Sequence, residues 1–161
     1  GDVTTGGTTL LAALREKLGA NVKVTSSTDG SGSEGADLII AVVGETPYAE
    51  GAGDDDDLKL PEADLTMLAK VSETNIPTVV VLYSGRPLDI SDVIGQADAF
   101  VAAWLPGTEG AGIVDVLLGD YSPTGKLSFT WPKSAAQEPI NVGDDEYDPL
   151  FPFGYGLTYD K

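Results

Sequence analysis

Three apolar runs along the chain predict buried β-strands. They are Leu38–Val43, Thr78–Leu82 and Ala99–Trp104. The first run is apolar on both faces, as in a parallel sheet that is covered on both sides. Two weaker segments, Val22–Thr25 and Lys126–Trp131, predict a short strand and a late edge strand, the latter ended by the proline that follows it.

Between these runs, apolar residues recur at the spacing of one helix face. The first predicted helix begins after Thr8–Thr9 and stops at Gly19, the second begins at Pro61, and the third begins near Gly110. Strands that alternate with helices predict an α/β fold with right-handed crossovers. We expect a three-layer sandwich in which a mostly parallel sheet carries helices on both faces.

The last part of the chain has a different character. After Gly119 the periodicity fades, and the residues from Ala135 onward are rich in proline, glycine and aromatic side chains. We expect an irregular aromatic C-terminal tail that wraps the sandwich or an interface with another domain. With no internal repeat, residues 1–161 predict a single α/β-sandwich domain.

The composition restricts the chemistry that is available. The chain holds 9 basic and 26 acidic residues, no histidine and no cysteine, for a formal net charge of −17. Phosphate neutralisation needs lysine and arginine, so we expect neither nucleic acid nor a membrane as a partner. The absence of histidine and cysteine excludes imidazole and thiolate metal ligands and leaves acid–base chemistry to carboxylates, tyrosine or lysine. The acidic balance favours salty or extracellular surroundings, and hence a secreted or periplasmic location.

The most informative stretch is the loop Gly44–Gly51, directly after the first predicted strand. It contains Pro47, Tyr48 and two carboxylates, Glu45 and Glu50. Open α/β sheets bind their ligands beyond the carboxyl ends of the strands, and a rigid sheet behind a polar loop aims side chains at a cleft. This loop is therefore the predicted site of chemistry.

Several motifs occur in the order found in one enzyme family. They are Ser84–Pro87, Trp104–Gly110, Gly119–Leu127, Trp131–Pro132 and Tyr147–Thr158. Together they cover nearly everything from residue 36 onward, and the ordered set is far more specific than any single piece. On these residues the chain resembles the C-terminal α/β-sandwich domain of family three glycoside hydrolases, of the β-glucosidase and exo-β-glucanase type.

The resemblance implies a composite site in a retaining glycosidase. In that family an N-terminal TIM-like barrel carries an aspartate nucleophile, and the sandwich domain supplies the acid/base glutamate. The matching motif here is Pro47–Glu50, so the resemblance implies that Glu50 is the acid/base and that the substrate is a β-glucan or β-glucoside. The barrel has no counterpart in residues 1–161, so we expect the isolated chain to be inactive. The alternative function is a non-catalytic carbohydrate-binding or interaction module of the same fold.

Other residues near this loop have competing interpretations. Glu45 lies closer to the strand end, where we favour a structural acceptor that binds loop amides. Tyr48 lines the sugar site or packs under the loop. Glu109, at a helix start, is expected to cap the helix, where a carboxylate suits the positive end of the dipole.

Two further motifs raise the question of bound ions or cofactors. The run Asp54–Asp57 invites a calcium site, but adjacent aspartates lack the alternating ligands of a calcium loop, so we favour a solvated acidic loop. Gly107 and Gly110 lack the spacing of a nucleotide-binding loop and have no nearby lysine. We therefore expect no cofactor and no metal.

Overall fold

A parallel β-sheet of three strands positions the rest of the fold. The computed structural model describes residues 6–159 and gives the strands β1 (Ile39–Gly44), β2 (Thr78–Tyr83) and β3 (Ala99–Trp104) in the order β1–β2–β3. The register pairs Gly44 with Tyr83, and Tyr83 with Trp104. All three carboxyl ends therefore meet at one edge of the sheet, which we call the carboxyl edge.

Two helices cover one face of the sheet. They are α1 (Leu10–Leu18) and α4 (Gly110–Leu117), which contact each other. The α1 helix begins where the Thr9 side chain accepts a hydrogen bond from the Ala12 amide at 3.1 Å, which satisfies one of the free amides of the first turn. Their apolar faces form a small core with the strand residue Ile40.

The opposite face carries the larger core. Helix α2 (Glu62–Ser72) and the short α3 (Ser91–Ile94) pack there against inward-facing residues of β1 and β2. Trp131, which is only 1% exposed, closes this core from the C-terminal segment. Its indole N–H donates to the Leu88 carbonyl at 2.9 Å, so the one polar atom of the side chain is satisfied.

Aromatic side chains bind the tail to this core. The rings of Trp131 and Phe151 meet edge to face at 6.3 Å between centroids, and Tyr155 stacks on Phe151 at 4.7 Å. The tail backbone also pairs locally with the segment before Trp131, because the Leu127 amide donates to the Tyr155 carbonyl at 2.8 Å. The irregular tail is thus fastened to the sandwich.

The predicted three-layer α/β sandwich, with a parallel sheet and helices on both faces, is confirmed. Two predicted strands are wrong. Val22–Thr25 is largely exposed and joins no sheet, and Lys126–Trp131 makes only an isolated bridge, between Trp131 and Phe151. Prolines in the tail opposite this segment have no N–H to donate, so the pairing does not extend into a continuous ladder.

The structure also bears on membrane insertion. No helix between residues 6 and 159 is long and apolar enough to cross a membrane.

Truncation of Trp131 tests the closure of the larger core. We expect Trp131→Ala to lower the free energy of unfolding by about 3–5 kcal/mol, because it leaves a cavity and an unpaired carbonyl at Leu88. Urea denaturation measures this change. The control is Phe153→Ala, at a residue that is 58% exposed, which should shift the free energy by about 0.5 kcal/mol or less. Equal losses in the two variants would contradict this account of the core.

Candidate active site

The candidate site is built on the carboxyl edge, where the loop after β1 meets the loop after β2. The Glu45 amide donates to the Tyr83 carbonyl at 3.1 Å, and the Gly44 amide donates to a carboxylate oxygen of Asp64 at 3.0 Å. A Cβ atom at Gly44 would collide with the Tyr83 carbonyl oxygen. The absence of a side chain at residue 44 therefore lets the first loop leave the sheet close against β2.

Glu45 and Arg86 form a partly buried ion pair across this edge. The Arg86 Nε and Nη2 atoms lie 2.9 and 2.7 Å from Oε1 of Glu45. The Arg86 and Glu45 side chains are only 25% and 12% exposed, respectively. The Glu45 carboxylate is bound by this guanidinium and largely shielded from water. Its role is therefore structural.

The same guanidinium reaches two other parts of the loop. Its Nη1 atom donates to the Gly53 carbonyl at 2.6 Å, and its Cζ atom lies 4.7 Å from the centroid of the Tyr48 ring. The Tyr48 hydroxyl donates to Oε2 of Glu45 at 3.3 Å. One arginine therefore joins the start of the loop, its aromatic residue and the backbone just beyond its far end.

The Tyr48 ring also packs directly against backbone. A Cβ atom added at Gly53 would overlap the ring, and one at Gly85 would lie 3.1 Å from the phenol oxygen. The side chain nevertheless remains 42% exposed. Partial burial and the charge of Glu45 raise the pKa of Tyr48 above its ordinary 10.0, while Arg86 opposes the shift.

Glu50 has a different environment. It begins a short 3-10 turn, Glu50–Gly53, in a left-handed backbone conformation with φ 49°. The residue is exposed, and within residues 6–159 its side chain makes no hydrogen bond or ion pair. A non-glycine residue in this conformation costs about 1–3 kcal/mol and persists only where its surroundings hold it. Within residues 6–159 the Glu50 carboxylate is therefore exposed and unpaired, on a backbone conformation that its surroundings must hold.

An aromatic groove lies beside this loop. It has a volume of about 400 Å³ and is lined in part by Gly85, Trp104 and Leu105. Trp104 ends β3 with φ 53°, and Phe129 meets its ring edge to face at 5.3 Å between centroids. Leu105, at 74% exposed, is the most open of the large apolar residues between positions 6 and 159. The carboxyl edge thus combines an exposed carboxylate, that of Glu50, with apolar surface.

Two predicted roles near the site need correction. Glu45 is a structural acceptor, as predicted, but its partners are the Arg86 guanidinium and the Tyr48 hydroxyl instead of loop amides. Glu109 precedes α4 without making a capping hydrogen bond from its side chain. That helix start is held instead by backbone contacts, since the Gly110 amide donates to the Thr8 carbonyl at 3.0 Å.

The acidic run does not converge on one point. Asp54–Asp57 is exposed throughout, the Asp57 amide donates to a carboxylate oxygen of Asp55 at 2.9 Å, and Lys59 pairs with Asp57 at 2.9 Å. In the described range of the chain, no three acidic side chains gather where they would hold a metal ion. The run therefore has the local contacts of a solvated loop.

The central residue of the site, Arg86, was not predicted from the sequence. Arg86 appears in the Ser84–Pro87 motif, but nothing local in that motif indicates that it bridges Glu45 and Gly53. The available signal is charge. Arg86 is a lone cation directly after one strand, and it faces a loop with two carboxylates after the neighbouring strand. Parallel pairing makes such residues neighbours.

Comparison with known proteins identifies the family. The chain matches the glycosyl hydrolase family 3 C-terminal domain over residues 2–159. A periplasmic β-glucosidase of Salmonella typhimurium is 37% identical over a gapped alignment of 147 positions, which covers 77% of this chain and 19% of that protein. A β-xylosidase of Formosa agariphila is 29% identical over a gapped alignment of 180 positions, which covers 93% of this chain and 25% of that protein. The family resemblance seen in the motifs is confirmed.

Solved structures agree with these relatives. An exo-1,3/1,4-β-glucanase from a Pseudoalteromonas species superposes with a TM-score of 0.90 at 42% identity, over 99% of this chain and 22% of that one. A β-glucosidase from Listeria innocua in complex with isofagomine gives 0.83 at 27% identity, over 96% of this chain and 26% of that one. The chain therefore spans about a quarter or less of the length of these relatives.

The contact between Glu45 and Tyr48 predicts a change in titration. We expect Glu45→Gln to lower the pKa of Tyr48, because the variant removes the negative charge that disfavours tyrosinate. Ring-carbon NMR of labelled tyrosine measures it. Tyr83, whose pKa is raised by burial alone, provides the internal control and should not move. An unchanged Tyr48 titration would contradict the contact.

The raised pKa of Tyr48 also makes the stability of the fold depend on pH. A raised pKa in the folded state means that folding favours protonated Tyr48. Its contribution to stability is therefore complete below the unfolded value near pH 10 and is lost as the pH rises through the folded pKa. Glu45→Gln should move this loss to lower pH.

Proposed function

Because this chain belongs to the glycosyl hydrolase family 3 C-terminal domain family, we propose that it supplies the general acid/base of a retaining β-glucosidase or exo-β-glucanase. Glu50 is the proposed acid/base residue. The nucleophile, an aspartate, belongs to a separate TIM-like barrel domain that completes the site. The substrate is a β-glucan or β-glucoside.

The contrast between the two loop carboxylates supports Glu50. Glu45 is 12% exposed and is neutralised by Arg86, so it is not available to exchange a proton with a substrate. Glu50 is exposed and has no partner between residues 6 and 159, and it stands on a turn anchored at the carboxyl edge. Of the two, only Glu50 combines accessibility with a held backbone, as acid–base catalysis requires.

The proposed reaction has two steps. In the first, Glu50 gives its proton to the glycosidic oxygen while the barrel aspartate attacks the anomeric carbon, so that the aglycone leaves as an alcohol. In the second, the Glu50 carboxylate takes a proton from water as that water attacks the anomeric carbon and releases the aspartate. The two carboxyl groups must lie about 5–5.5 Å apart for this chemistry.

Tyr48 has a proposed secondary role. Its ring is 42% exposed two residues before Glu50, and its hydroxyl and inner face are held by Glu45 and Arg86. A ring fixed in this way offers its open edge to a sugar that is bound at Glu50. The role of substrate contact thus coexists with packing under the loop.

The division of the site between two domains makes a direct prediction. We expect the purified 161-residue chain to release no product from an aryl β-glucoside, because the nucleophile is on the barrel. Spectrophotometric release of the phenol measures this. Turnover by the chain alone would contradict the composite site.

Substitution of Glu50 in an assembled enzyme tests the proposed acid/base. We suggest a chimera in which this chain replaces the matching domain of the Pseudoalteromonas exo-β-glucanase, a relative at 42% identity. Glu50→Gln and Glu50→Ala should lower kcat about 10²–10⁴-fold on laminari-oligosaccharides. The loss should be smaller on aryl glucosides with good leaving groups, which need less protonation.

A matched control separates this effect from a general loss of charge. Glu34→Gln changes another exposed loop glutamate, which lies ahead of β1 and away from the carboxyl edge. Its kcat should equal that of the parent chimera. Full activity in both Glu50 variants would instead favour a non-catalytic binding module.

A further inference from the structure

We infer that Arg86 is a positioning residue for Glu50, an inference that rests on the proposed function of this loop. Arg86 holds the far end of the Glu50–Gly53 turn through the Gly53 carbonyl and holds the start of the loop through Glu45. It therefore determines where the proposed proton donor stands, without touching the substrate.

The contacts of Arg86 use the shape of the guanidinium. Nε and Nη2 both contact one carboxylate oxygen of Glu45, and Nη1 donates to the Gly53 carbonyl. The planar group also lies over the Tyr48 ring. A lysine ammonium carries its three donors on one nitrogen, so it has no planar group that could span Glu45 and Gly53 while lying over the Tyr48 ring. The arrangement is thus specific for arginine, and charge alone does not replace it.

The Glu50–Gly53 turn depends on the contact from Arg86 to the Gly53 carbonyl. Glu50 holds φ 49°, a conformation that an L residue keeps only under external constraint. The only other described bond that closes the turn is the one from the Asp54 amide to the Gly51 carbonyl, which is long at 3.3 Å. The contact from Arg86 to Gly53, at 2.6 Å, is the strong one. Its loss should free the backbone of residues 50–53.

The buried residue Ser84 fixes the backbone of Arg86. The buried Ser84 hydroxyl donates to the Arg86 carbonyl at 2.8 Å, and the Ser84 amide donates to the Trp104 carbonyl at 3.2 Å. Ser84 is only 1% exposed. The guanidinium therefore extends from a backbone that is hydrogen-bonded to the end of β3. This attachment limits the movement of the guanidinium and of the loop that it binds.

Backbone order in the chain itself provides the first test. We expect amide order parameters of residues 50–53, measured by ¹⁵N relaxation, to fall from about 0.85 to about 0.6 or below in Arg86→Met and Arg86→Lys. The control is Lys133→Met, which removes a cation from the exposed pair with Asp148 and should leave the turn unchanged. Unchanged order in both Arg86 variants would overturn the inference, whatever the role of Glu50.

The chimera provides the second test. Arg86→Lys should lower kcat about 10²-fold, the loss expected when a reacting group is misplaced by about 1 Å, with little change in KM. The loss should be smaller on aryl glucosides with good leaving groups. In the double variant with Glu50→Gln, Arg86→Lys should lower kcat little further, because the group that it positions is already gone.

The outcomes separate this inference from the function on which it rests. Additive losses from Arg86→Lys and Glu50→Gln would overturn positioning and assign Arg86 a general structural role. Full activity of Glu50→Gln would overturn the proposed function, while the order parameters would still report whether Arg86 holds the turn. Should Arg86→Met fail to fold, Glu45→Gln tests the anchor, since it removes the ion pair and should lower the order of residues 50–53 in part.

Discussion

The pairing of the ends of β1 and β2 is the constraint on which the site depends. Gly44 lies opposite Tyr83, so close that residue 44 has no room for a side chain. The loop after β1 therefore leaves the sheet against the loop after β2. This proximity brings Glu45 within 2.7 Å of Arg86, although they are far apart in the sequence. A shift in this register would separate Glu45 from Arg86 and release the loop.

The same loop places two glutamates in opposite circumstances. Glu45 is shielded from water and bound to a guanidinium, so its charge stabilises the loop. Glu50 is exposed, and no side chain between residues 6 and 159 binds its carboxylate. Enzymes commonly assign different roles to two carboxylates through their surroundings. In this domain one carboxylate stabilises the loop, and the other is the one that we propose for chemistry completed by a neighbouring domain.

The sequence predicted the parts of the fold that depend on long apolar patterns. The three strands and the main helices lie where the apolar runs place them, because continuous apolar surface must be buried. Val22–Thr25 failed because four alternating residues carry too little apolar surface to fix a strand. The segment before Trp131 failed because its partner is a tail that contains prolines, which local patterning does not reveal.

The site was predictable only in part, for a related reason. The loop and its two carboxylates could be found because they follow an obvious strand. The Arg86 contacts and the left-handed turn at Glu50 depend on how two distant loops meet, which sequence spacing does not encode. The resemblance in the motifs favours Glu50 as the acid/base residue, and the structure adds the contact from Arg86 to the turn that Glu50 begins.

The proposed reaction depends on the distance between two carboxyl groups. A crystal structure of this chain assembled with its barrel domain, bound to a β-glucoside analogue, would measure it directly. We expect a carboxyl oxygen of Glu50 to lie about 5–5.5 Å from the barrel nucleophile and within hydrogen-bond distance of the glycosidic oxygen. A different carboxyl group at that position, with Glu50 turned away into solvent, would contradict it.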